Sequence, residues 1–336
     1  MAVHGISVLS ASRSARHADF LLLAVALVWG SSYGVTKLAL GWYPVLGFLA
    51  VRFGLTFVLL LPHVWRLNSA TRLATLRAGV PLGLILWLIF LSETYGVAHT
   101  SAANAAFLIS LCVVLTPFSE WGLLGLRPSR AALGFAALSV SGASMLVGDL
   151  RLGFGGGDGL MLLAALLRAI AVCLTKRLAG PQAVDTLALT AVQAGVVSLA
   201  CLFLALTTGP EMLPRLPASP EFWLACGYLV TFCTLFAFHA QNHAIRRSSP
   251  THVGLLMGTE PVFGALFAAM FLGERLALSG WLGGGLIVVA SLWAVRCRCR
   301  AATGTGAGVL APVSGATSSN KMLPSAAGGA GAWPET

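Results

Sequence analysis

SAANAAFLISLCVVLTPFSEWGLLGLR (residues 101–127) and SPTHVGLLMGTEPVFGALFAAMFLGER (residues 249–275) are the two stretches that decide the fold of this chain. A shift of 148 residues lays the first stretch over the second, so that Ser101 meets Ser249 and Leu108 meets Leu256. Few residues are identical, but hydropathy and turn residues run in parallel through both stretches. The chain therefore contains an internal repeat, and its units are apolar segments about as long as a membrane is thick.

Similar apolar stretches fill the chain on both sides of this pair, from Phe20 to Val295. Short turn-like segments rich in glycine, proline and serine separate them. Each stretch is long enough to cross the hydrocarbon core of a bilayer as a helix. The sequence predicts an all-α polytopic membrane protein with ten transmembrane helices, at residues 19–40, 44–62, 79–98, 102–125, 131–148, 158–178, 186–207, 221–243, 251–272 and 279–296.

The composition agrees with a lipid environment. Apolar residues make up 57% of the 336 residues and charged residues only 10%, whereas a soluble domain carries roughly 25% charged residues. The seven cysteines lie singly within apolar runs or beside the last helix, as Cys297 and Cys299 do. This distribution does not indicate a disulfide framework.

The basic residues predict the orientation of the chain. If the N-terminus is cytoplasmic, the basic residues of the outer loops are Arg151, Arg215 and Arg275. Those on the cytoplasmic side are Arg13, Arg16, Arg66, Arg72, Arg77, Arg127, Arg130, Lys176, Arg177, Arg246, Arg247, Arg296, Arg298, Arg300 and Lys321. This is the positive-inside bias of membrane proteins, and it places both termini in the cytoplasm. The net charge of +10 is therefore a topology signal, and no nucleic-acid partner is predicted.

The repeat organises the chain into two inverted halves. Each copy holds five helices, and an odd number makes the second copy enter the membrane upside down. We predict a cytoplasmic N-terminal tail at 1–18, a first five-helix repeat at 19–148, a second at 149–297 and a cytoplasmic tail at 298–336. The tail is rich in Ala, Gly, Ser and Thr from residue 301 onward, and we expect it to be disordered.

Several stretches of the chain resemble one known family. PVFGALFAAMFLGERLALSGWLGGGLIVVAS (261–291) looks like the end of the EamA domain of the drug/metabolite transporter superfamily. WGSSYGVTK (29–37) and the arginine of LAVRFGL (49–55) are similar to its opening helices, and YGVAHTSAANAAFLISL (95–111) fits the first copy. The resemblance covers residues 20–295 as two such domains.

This resemblance implies a ten-helix carrier of the inner membrane, commonly an exporter of amino acids, other metabolites or drugs. It also implies that helices 1–4 and 6–9 enclose a cavity, with helices 5 and 10 at the periphery. The chain departs from the pattern at one turn. Gly-Glu-Arg is intact at 273–275, whereas the first copy reads Gly125-Leu126-Arg127, so only one copy carries that glutamate.

Ionisable residues within the apolar stretches are the first candidates for function, because burying them in a membrane is costly. Glu260 lies near the middle of helix 9, directly before Pro261, where the helix is expected to be locally broken. Pro117 lies about one turn from the equivalent position in helix 4, and a pair of broken helices is a pointer to a transporter site. Glu260 could have a functional role in the substrate cavity, or it could form a buried hydrogen bond between helices.

Glu93 and Arg52 carry similar alternatives. Glu93, like Glu120, could carry a proton, meet a cationic substrate group or pair with a basic residue such as Arg168. Arg52 could hold a substrate carboxylate through two hydrogen bonds or form a structural ion pair.

Trp29 and Tyr33 could line a cavity or pack between helices. Asn104, Gln193 and Asn242 could hydrogen-bond a substrate or join helices.

His239 and His243 stand four residues apart on one face of helix 8, as metal-binding histidines often do. No third ligand lies nearby in the sequence and no glutamate follows His239, so we predict neither a metal site nor a cofactor, and His239 remains a cavity candidate. No nucleotide fingerprint or nucleophile motif indicates an enzyme or an ATPase.

The sequence thus predicts a secondary transporter of the inner (plasma) membrane. We expect it to export a small amino acid-like metabolite or drug by alternating access, with Glu260 or Glu93 exchanging a proton. An importer or facilitator of a related metabolite is the alternative, and an intramembrane metal-dependent enzyme is a weaker one. The expected partners are a small-molecule substrate and the lipid bilayer. Glycine spacings such as Gly280-x-x-Gly283 leave a homodimer open.

Overall fold

A computed structural model describes residues 2–100, 102–147, 155–179, 184–271 and 278–304. Within these ranges, side chains are described except at residues 2–17, 102–104, 106, 146–147, 247, 268–269, 271 and 294–304. Residues Met1–Cys299 form one compact unit. Arg300–Thr336 form a second unit, whose described residues, 300–304, are helical.

Most of the described residues are helical, and no strand occurs among them. Their α-helices are α1 (Ala2–Leu40), α2 (Val45–Trp65), α3 (Ser69–His99), α4 (Ala102–Ser110), α5 (Cys112–Leu124), α6 (Arg130–Val147), α7 (Gly156–Ala179), α8 (Thr186–Thr208), α9 (Pro220–Tyr228), α10 (Ala237–Arg247), α11 (Pro250–Met257), α12 (Glu260–Phe271) and α13 (Leu278–Gly304). A 3₁₀ turn covers Pro210–Met212, and a π-helical segment, Leu229–Phe236, joins α9 to α10.

Seven helical stretches of the described part are long and apolar enough to cross a membrane. They are Ala18–Leu40, Val45–Trp65, Ser69–His99, Phe107–Leu124, Gly156–Ala179, Thr186–Thr208 and Pro220–Arg246. Leu278–Trp293 is a shorter apolar helix. The predicted intervals 131–148, 251–272 and 279–296 coincide with α6, with α11 and α12, and with α13. Their crossing of the membrane remains a prediction.

Several helix ends differ from the predicted ones because polar residues extend the helices beyond the apolar core. α3 begins at Ser69, ten residues before the expected start, because the Asn68 side chain caps it by accepting a 2.8 Å hydrogen bond from the backbone N–H of Thr71. α1 begins at Ala2 rather than at residue 19. α13 runs to Gly304, four residues into the segment expected to be disordered, and residues 305–336 lie outside the described part.

Two of the predicted helices are divided, and the two divisions correspond. α4 and α5 are separated at Leu111, and α11 and α12 are separated at Gly258 and Thr259. The 148-residue shift that relates the two repeats places Leu111 on Thr259. Pro261 then falls in the first turn of α12, where its missing N–H costs no helical hydrogen bond. The predicted break at Glu260–Pro261 is thus observed just before Glu260.

The packing of α2 on α8 shows that these two helices run in opposite directions. Ser198 donates a 2.9 Å hydrogen bond to the carbonyl of Ala50 at one end, and His63 and Asp185 approach to 2.9 Å at the other. Between them, Gly54 faces Ser198 and Gly195 faces the Phe57 ring. Each helix therefore offers a glycine to a side chain of its partner, which brings the two backbones close together.

Large apolar side chains occupy both the inside and the outside of this bundle. Phe48, Phe53 and Phe222 are fully buried in its core. Leu199 and Phe203 point outward and are 65% and 71% exposed. A surface of this kind suits contact with lipid, in which exposed apolar side chains carry no cost.

Candidate functional site

Glu260 lies at the first position of α12, directly after the helix break, and is only 4% exposed. The Tyr33 hydroxyl donates a 2.5 Å hydrogen bond to Glu260 Oε1. Arg168 Nη1 lies 3.4 Å from Glu260 Oε2 and forms an ion pair with it. The Arg168 guanidinium also stacks on the Trp29 ring, with 4.7 Å from Cζ to the ring centroid. Trp29, Tyr33, Arg168 and Glu260 form what we call the central cluster.

Glycine allows this cluster to form, because it brings α1 against α12. A Cβ atom on Gly30 would lie 2.6 Å from the Glu260 carbonyl oxygen and 2.7 Å from the backbone nitrogen of Gly264. Such distances are too short for any larger side chain unless the backbones separate. The close approach of the two helices positions Tyr33, one turn after Gly30, next to the carboxylate of Glu260.

The larger of two cavities at this cluster has an empty volume of about 800 Å³. Its wall combines apolar side chains with amides and hydroxyls. The lining residues are Trp29, Leu82, Leu86, Ile89, Phe90, Cys112, Thr116, Arg168, Ala171, Val172, Thr175, Gln193, Phe238, Gln241, Asn242, Ile245, Val253, Gly254, Met257 and Glu260.

The smaller cavity, of about 400 Å³, has a more highly charged wall. Its lining residues are Trp29, Ser32, Tyr33, Thr36, Arg52, Phe90, Glu93, Thr94, Val97, Arg168 and Glu260. Both cavities share Trp29, Phe90, Arg168 and Glu260. Along α3, residues 82–90 line the larger cavity and residues 90–97 the smaller one. The two cavities therefore lie at successive levels of the bundle, with the central cluster between them.

Arg52 is buried in the wall of the smaller cavity. Its Nε donates a 3.2 Å hydrogen bond to Thr234 Oγ1, and its guanidinium lies 5.3 Å and 5.2 Å from the ring centroids of Phe53 and Phe90. Thr234 belongs to the π-helical segment, where its hydroxyl bonds to the Leu229 carbonyl. No ion pair of Arg52 occurs among the described residues.

Glu93 faces the same cavity from α3. Its Oε2 is buried and has no hydrogen-bond partner among the described residues, and none of the ion pairs found there includes Glu93. A buried carboxylate oxygen without a donor is expensive, so it points to a group that arrives from outside the protein.

Gln193 and Asn242 lie together in the larger cavity, where Asn242 Nδ2 donates a 3.1 Å hydrogen bond to Gln193 Oε1. They therefore join α8 to α10 and also face the cavity, so both of the interpretations made from the sequence apply. The structure thus brings seven predicted residues to the two adjoining cavities, namely Trp29, Tyr33, Arg52, Glu93, Gln193, Asn242 and Glu260.

Two predicted residues are not placed in either cavity. His239 lines neither one; its Nδ1 is buried without a partner in the described part, and its ring centroid is 6.3 Å from that of His243. The described residues contain no group of three or more His, Cys, Asp or Glu side chains that could hold a metal ion. Asn104 belongs to α4, and its side chain lies outside the described residues.

Glu120 has a different place. Its carboxylate accepts hydrogen bonds from the backbone N–H of Thr251, at 3.0 Å, and from the Thr251 hydroxyl. Thr251 lies in the first turn of α11, so Glu120 caps the positive end of that helix. This contact assigns Glu120 a structural role away from the two cavities.

The sequence did not predict Arg168, Phe90 or Cys112 as site residues. Arg168 appeared only as a partner for other carboxylates, because its pairing with Glu260 spans 92 positions and leaves no local spacing signal. Phe90 is an apolar residue in an apolar helix. Cys112 could have been found, because the 148-residue shift places it on Glu260.

The sequence model of the EamA-like transporter family matches the chain twice, over residues 16–148 and 155–296. The chain belongs to the EamA-like transporter family. It is similar to the inner membrane transporter YedA of Escherichia coli, with 29% identity over 280 residues, which cover 80% of this chain and 87% of YedA. A transporter from Archaeoglobus fulgidus is 27% identical over 279 residues, covering 82% of this chain and 84% of the relative.

A solved crystal structure shares the fold of this EamA-like protein. It has a TM-score of 0.66 and 18% sequence identity, and the match covers 85% of this chain and 99% of the solved one. Together, the family, the transporter relatives and the apolar helices make this a multi-pass membrane protein of a transporter family. They place the EamA-like chain among transporters.

Proposed function

We propose that this protein is a secondary transporter that exports a small amino acid-like metabolite or drug by alternating access. The observation that carries this proposal is the pair of cavities at successive levels of the bundle, which share Trp29, Arg168 and Glu260 of the central cluster. A substrate that passes from one cavity to the other must pass Trp29, Phe90 and the Arg168–Glu260 pair. If that cluster opens toward one cavity at a time, the path is never continuous.

Ten transmembrane helices in two inverted five-helix repeats, 19–148 and 149–297, are the architecture that suits this function. Three observations support it. The helix breaks at Leu111 and Thr259 correspond, and α2 and α8, which are equivalent helices, run antiparallel with reciprocal glycine contacts. The packing also recurs, since α1 packs on α12 and α10 while α7 packs on α5 and α3.

Glu260 or Glu93 is the group we expect to exchange a proton as the site changes sides. Protonation of Glu260 would neutralise the acceptor of the Tyr33 hydrogen bond and of the Arg168 ion pair. The ion pair joins α7 to α12 within the second repeat, and the Tyr33 hydrogen bond joins α12 to α1 of the first repeat, so protonation would loosen a contact between the two halves. Proton binding and helix movement would thereby be coupled.

The proposed location is the inner (plasma) membrane, with both termini in the cytoplasm, because of the distribution of lysine and arginine. The relative YedA is named an inner membrane transporter. Of the two glycines considered for a homodimer, Gly283 approaches Gly142 within one chain, so a homodimer interface would have to use a surface other than that of Gly283.

The test is efflux from preloaded cells across a panel of amino acids and cationic drugs. It compares the natural protein with Glu260→Gln, with and without a proton uncoupler. We expect efflux of one compound class to be lost both in the variant and in uncoupled cells. Glu120→Gln is the matched control, because Glu120 caps α11 away from the cavities; its efflux should retain proton dependence. Efflux by Glu260→Gln that still collapses on uncoupling would remove Glu260 from the coupling mechanism.

A further inference from the structure

The two cavities have corresponding walls, and the correspondence begins in α1 and α7. A shift of 139 residues lays Asp19 on Asp158 and Thr36-Lys37 on Thr175-Lys176. The same shift lays Trp29 on Arg168, the two residues that stack on each other in the central cluster. It also lays Thr36, in the smaller cavity, on Thr175, in the larger one.

The second pair of helices, α2 and α8, gives the same relation. Their reciprocal contacts, Gly54 with Ser198 and Phe57 with Gly195, are exchanged by a shift of 141 residues, which lays Gly54 on Gly195. That shift lays Arg52 of the smaller cavity on Gln193 of the larger one.

The third pair, α3 and α10, follows the 148-residue shift of the sequence repeat. Phe90 corresponds to Phe238, and both residues line the larger cavity. Beyond them, residues of the smaller cavity again fall on residues of the larger one. The corresponding pairs are Glu93 with Gln241, Thr94 with Asn242 and Val97 with Ile245.

The residues of the two walls thus occupy corresponding positions but differ in charge. Where the smaller cavity has Arg52 and Glu93, the larger one has the amides Gln193 and Gln241. In the smaller cavity, neither ion is neutralised by an ion pair within the described residues, and the Glu93 carboxylate has a buried oxygen without a donor. In the larger cavity, Gln193 is already bonded to Asn242.

We infer that Arg52 and Glu93 bind the opposite charges of a small zwitterion, and that the larger cavity, where the amides Gln193 and Gln241 replace these two residues, is the counterpart of this site on the other side of the membrane path. The inference rests on the proposed transport function and names its substrate class. A guanidinium binds a carboxylate through two parallel hydrogen bonds, and a buried carboxylate binds an ammonium group. Phe53 and Phe90 hold the guanidinium by stacking, so Arg52 is already oriented.

Because the two walls differ in charge, we expect the two sides of the transport path to differ in their affinity for the zwitterion. When a zwitterion enters the smaller cavity, its carboxylate and its ammonium group exchange water for the charged side chains of Arg52 and Glu93. The same ligand in the larger cavity meets amides at the corresponding positions, and the two charged residues there, Arg168 and Glu260, are already paired with each other. Since a hydrogen bond to a charged group is stronger than one between neutral groups, affinity should be higher from the side onto which the smaller cavity opens.

The test measures binding to the purified, detergent-solubilised protein with three probes of similar size: L-phenylalanine, phenethylamine and 3-phenylpropanoate. A wider zwitterion panel of glycine, alanine, leucine and betaine accompanies them. We expect a zwitterion to bind at least about 10-fold more tightly than either singly charged probe. Arg52→Gln should abolish the preference for the zwitterion over the amine, and Glu93→Gln the preference over the carboxylate. Glu120→Gln, which changes a carboxylate away from the cavities, and Lys37→Gln, which removes an exposed charge near the end of α1, serve as controls and should keep both preferences.

Three outcomes would overturn the inference: no zwitterion of the panel binds the natural protein, the variants keep both preferences, or the control variants lose them equally. A circular-dichroism melt of each variant shows whether it is folded, and Arg52→Lys, which keeps the charge, should restore part of the lost preference. Flux in proteoliposomes separates this inference from the transport function. Selective binding without flux would refute transport and keep the site, whereas flux that is unchanged in Arg52→Gln and Glu93→Gln would refute the site and keep transport.

Discussion

At the scale of single residues, the Arg168–Glu260 pair is the contact with the largest consequence. The two side chains are largely buried, with exposed fractions of 16% and 5%, and they join α7 to α12 within the second repeat. A buried pair of this kind adds little net stability, but removal of one partner leaves an uncompensated charge. The Tyr33 hydrogen bond compensates Glu260 only in part, because it supplies a dipole rather than a charge.

We expect Arg168→Leu to lower the free energy of unfolding by roughly 3 kcal/mol, measured by thermal or denaturant unfolding in detergent. Arg168→Leu combined with Glu260→Leu should recover most of that loss, because neither charge remains. Lys37→Leu is the control, since Lys37 is exposed near the end of α1 and its loss should change stability little. A double variant as unstable as Arg168→Leu alone would show that the pairing is not the cause.

The central residue of the site was predictable at this scale, but its partners were not. Glu260 stood out because a carboxylate within an apolar stretch needs a compensating contact, and its neighbour Pro261 indicated a helix break. Tyr33 and Arg168 are 227 and 92 positions away, so only the folded chain brings them together. The sequence offered Arg168 several acidic partners and no criterion to select among them.

At the scale of helices, glycine sets the distance between α1 and α12. Gly30 approaches the backbone of Glu260 and Gly264 so closely that a methyl group has no room. We expect Gly30→Ala to cost about 1–3 kcal/mol, the range found for overpacked cores, and to weaken transport by displacing Glu260 from Tyr33. Gly122→Ala in α5 is the matched control, because no atom lies within 4 Å of the added methyl group.

Both glycine variants can be measured by unfolding in detergent. Gly122→Ala should be neutral or slightly stabilising, since alanine is the better helix former. Equal losses in the two variants would mean that helix propensity, rather than the contact with α12, controls the effect.

The positions of most helices followed from the apolar stretches, whereas their internal irregularities did not. The π-helical segment Leu229–Phe236 has no sequence signal of its own. At the end of this segment, the backbone N–H of Ala237 donates to the carbonyls of Phe232 and Thr234. The carbonyl of Cys233 instead accepts a 2.9 Å hydrogen bond from the indole N–H of Trp29. The partner of the Cys233 carbonyl is 204 positions away in the chain, so a local sequence pattern does not indicate this contact.

At the scale of the whole molecule, membrane topology is the property to measure, because ten crossings remain a prediction while seven helices qualify in the described part. We expect Trp42→Cys and Leu216→Cys to be labelled by a membrane-impermeant maleimide in intact cells, and Ser129→Cys only after permeabilisation. All three native residues are exposed. Cys297 and Cys299 would first be replaced by serine to lower the background.

The position of Leu216 discriminates between the topologies. Six predicted helices lie between Trp42 and Leu216, so both positions face the same side if every one of them crosses the membrane. Labelling of Leu216→Cys only after permeabilisation would mean that one helix, such as α6, does not cross. The same result would contradict the inverted arrangement of the two repeats.

The repeated architecture was the most predictable property of this molecule, since hydropathy and order survive where identity is lost. The correspondence of the two cavities was not predictable, because it requires three different shifts, 139, 141 and 148 residues, in three pairs of helices. The shifts differ because the connections between equivalent helices differ in length in the two copies. A single alignment shift therefore hides the relation between Arg52 and Gln193.

The reciprocal α2–α8 contact has a consequence for the history of such a protein. A duplicated gene begins with two identical walls, and any early substitution in the ancestral unit alters both faces of the membrane path at once. Once the copies are joined in one chain, a mutation in either copy changes one face and leaves the other as it was. Selection can then adjust capture on one side separately from release on the other, which a symmetric dimer of identical subunits cannot do.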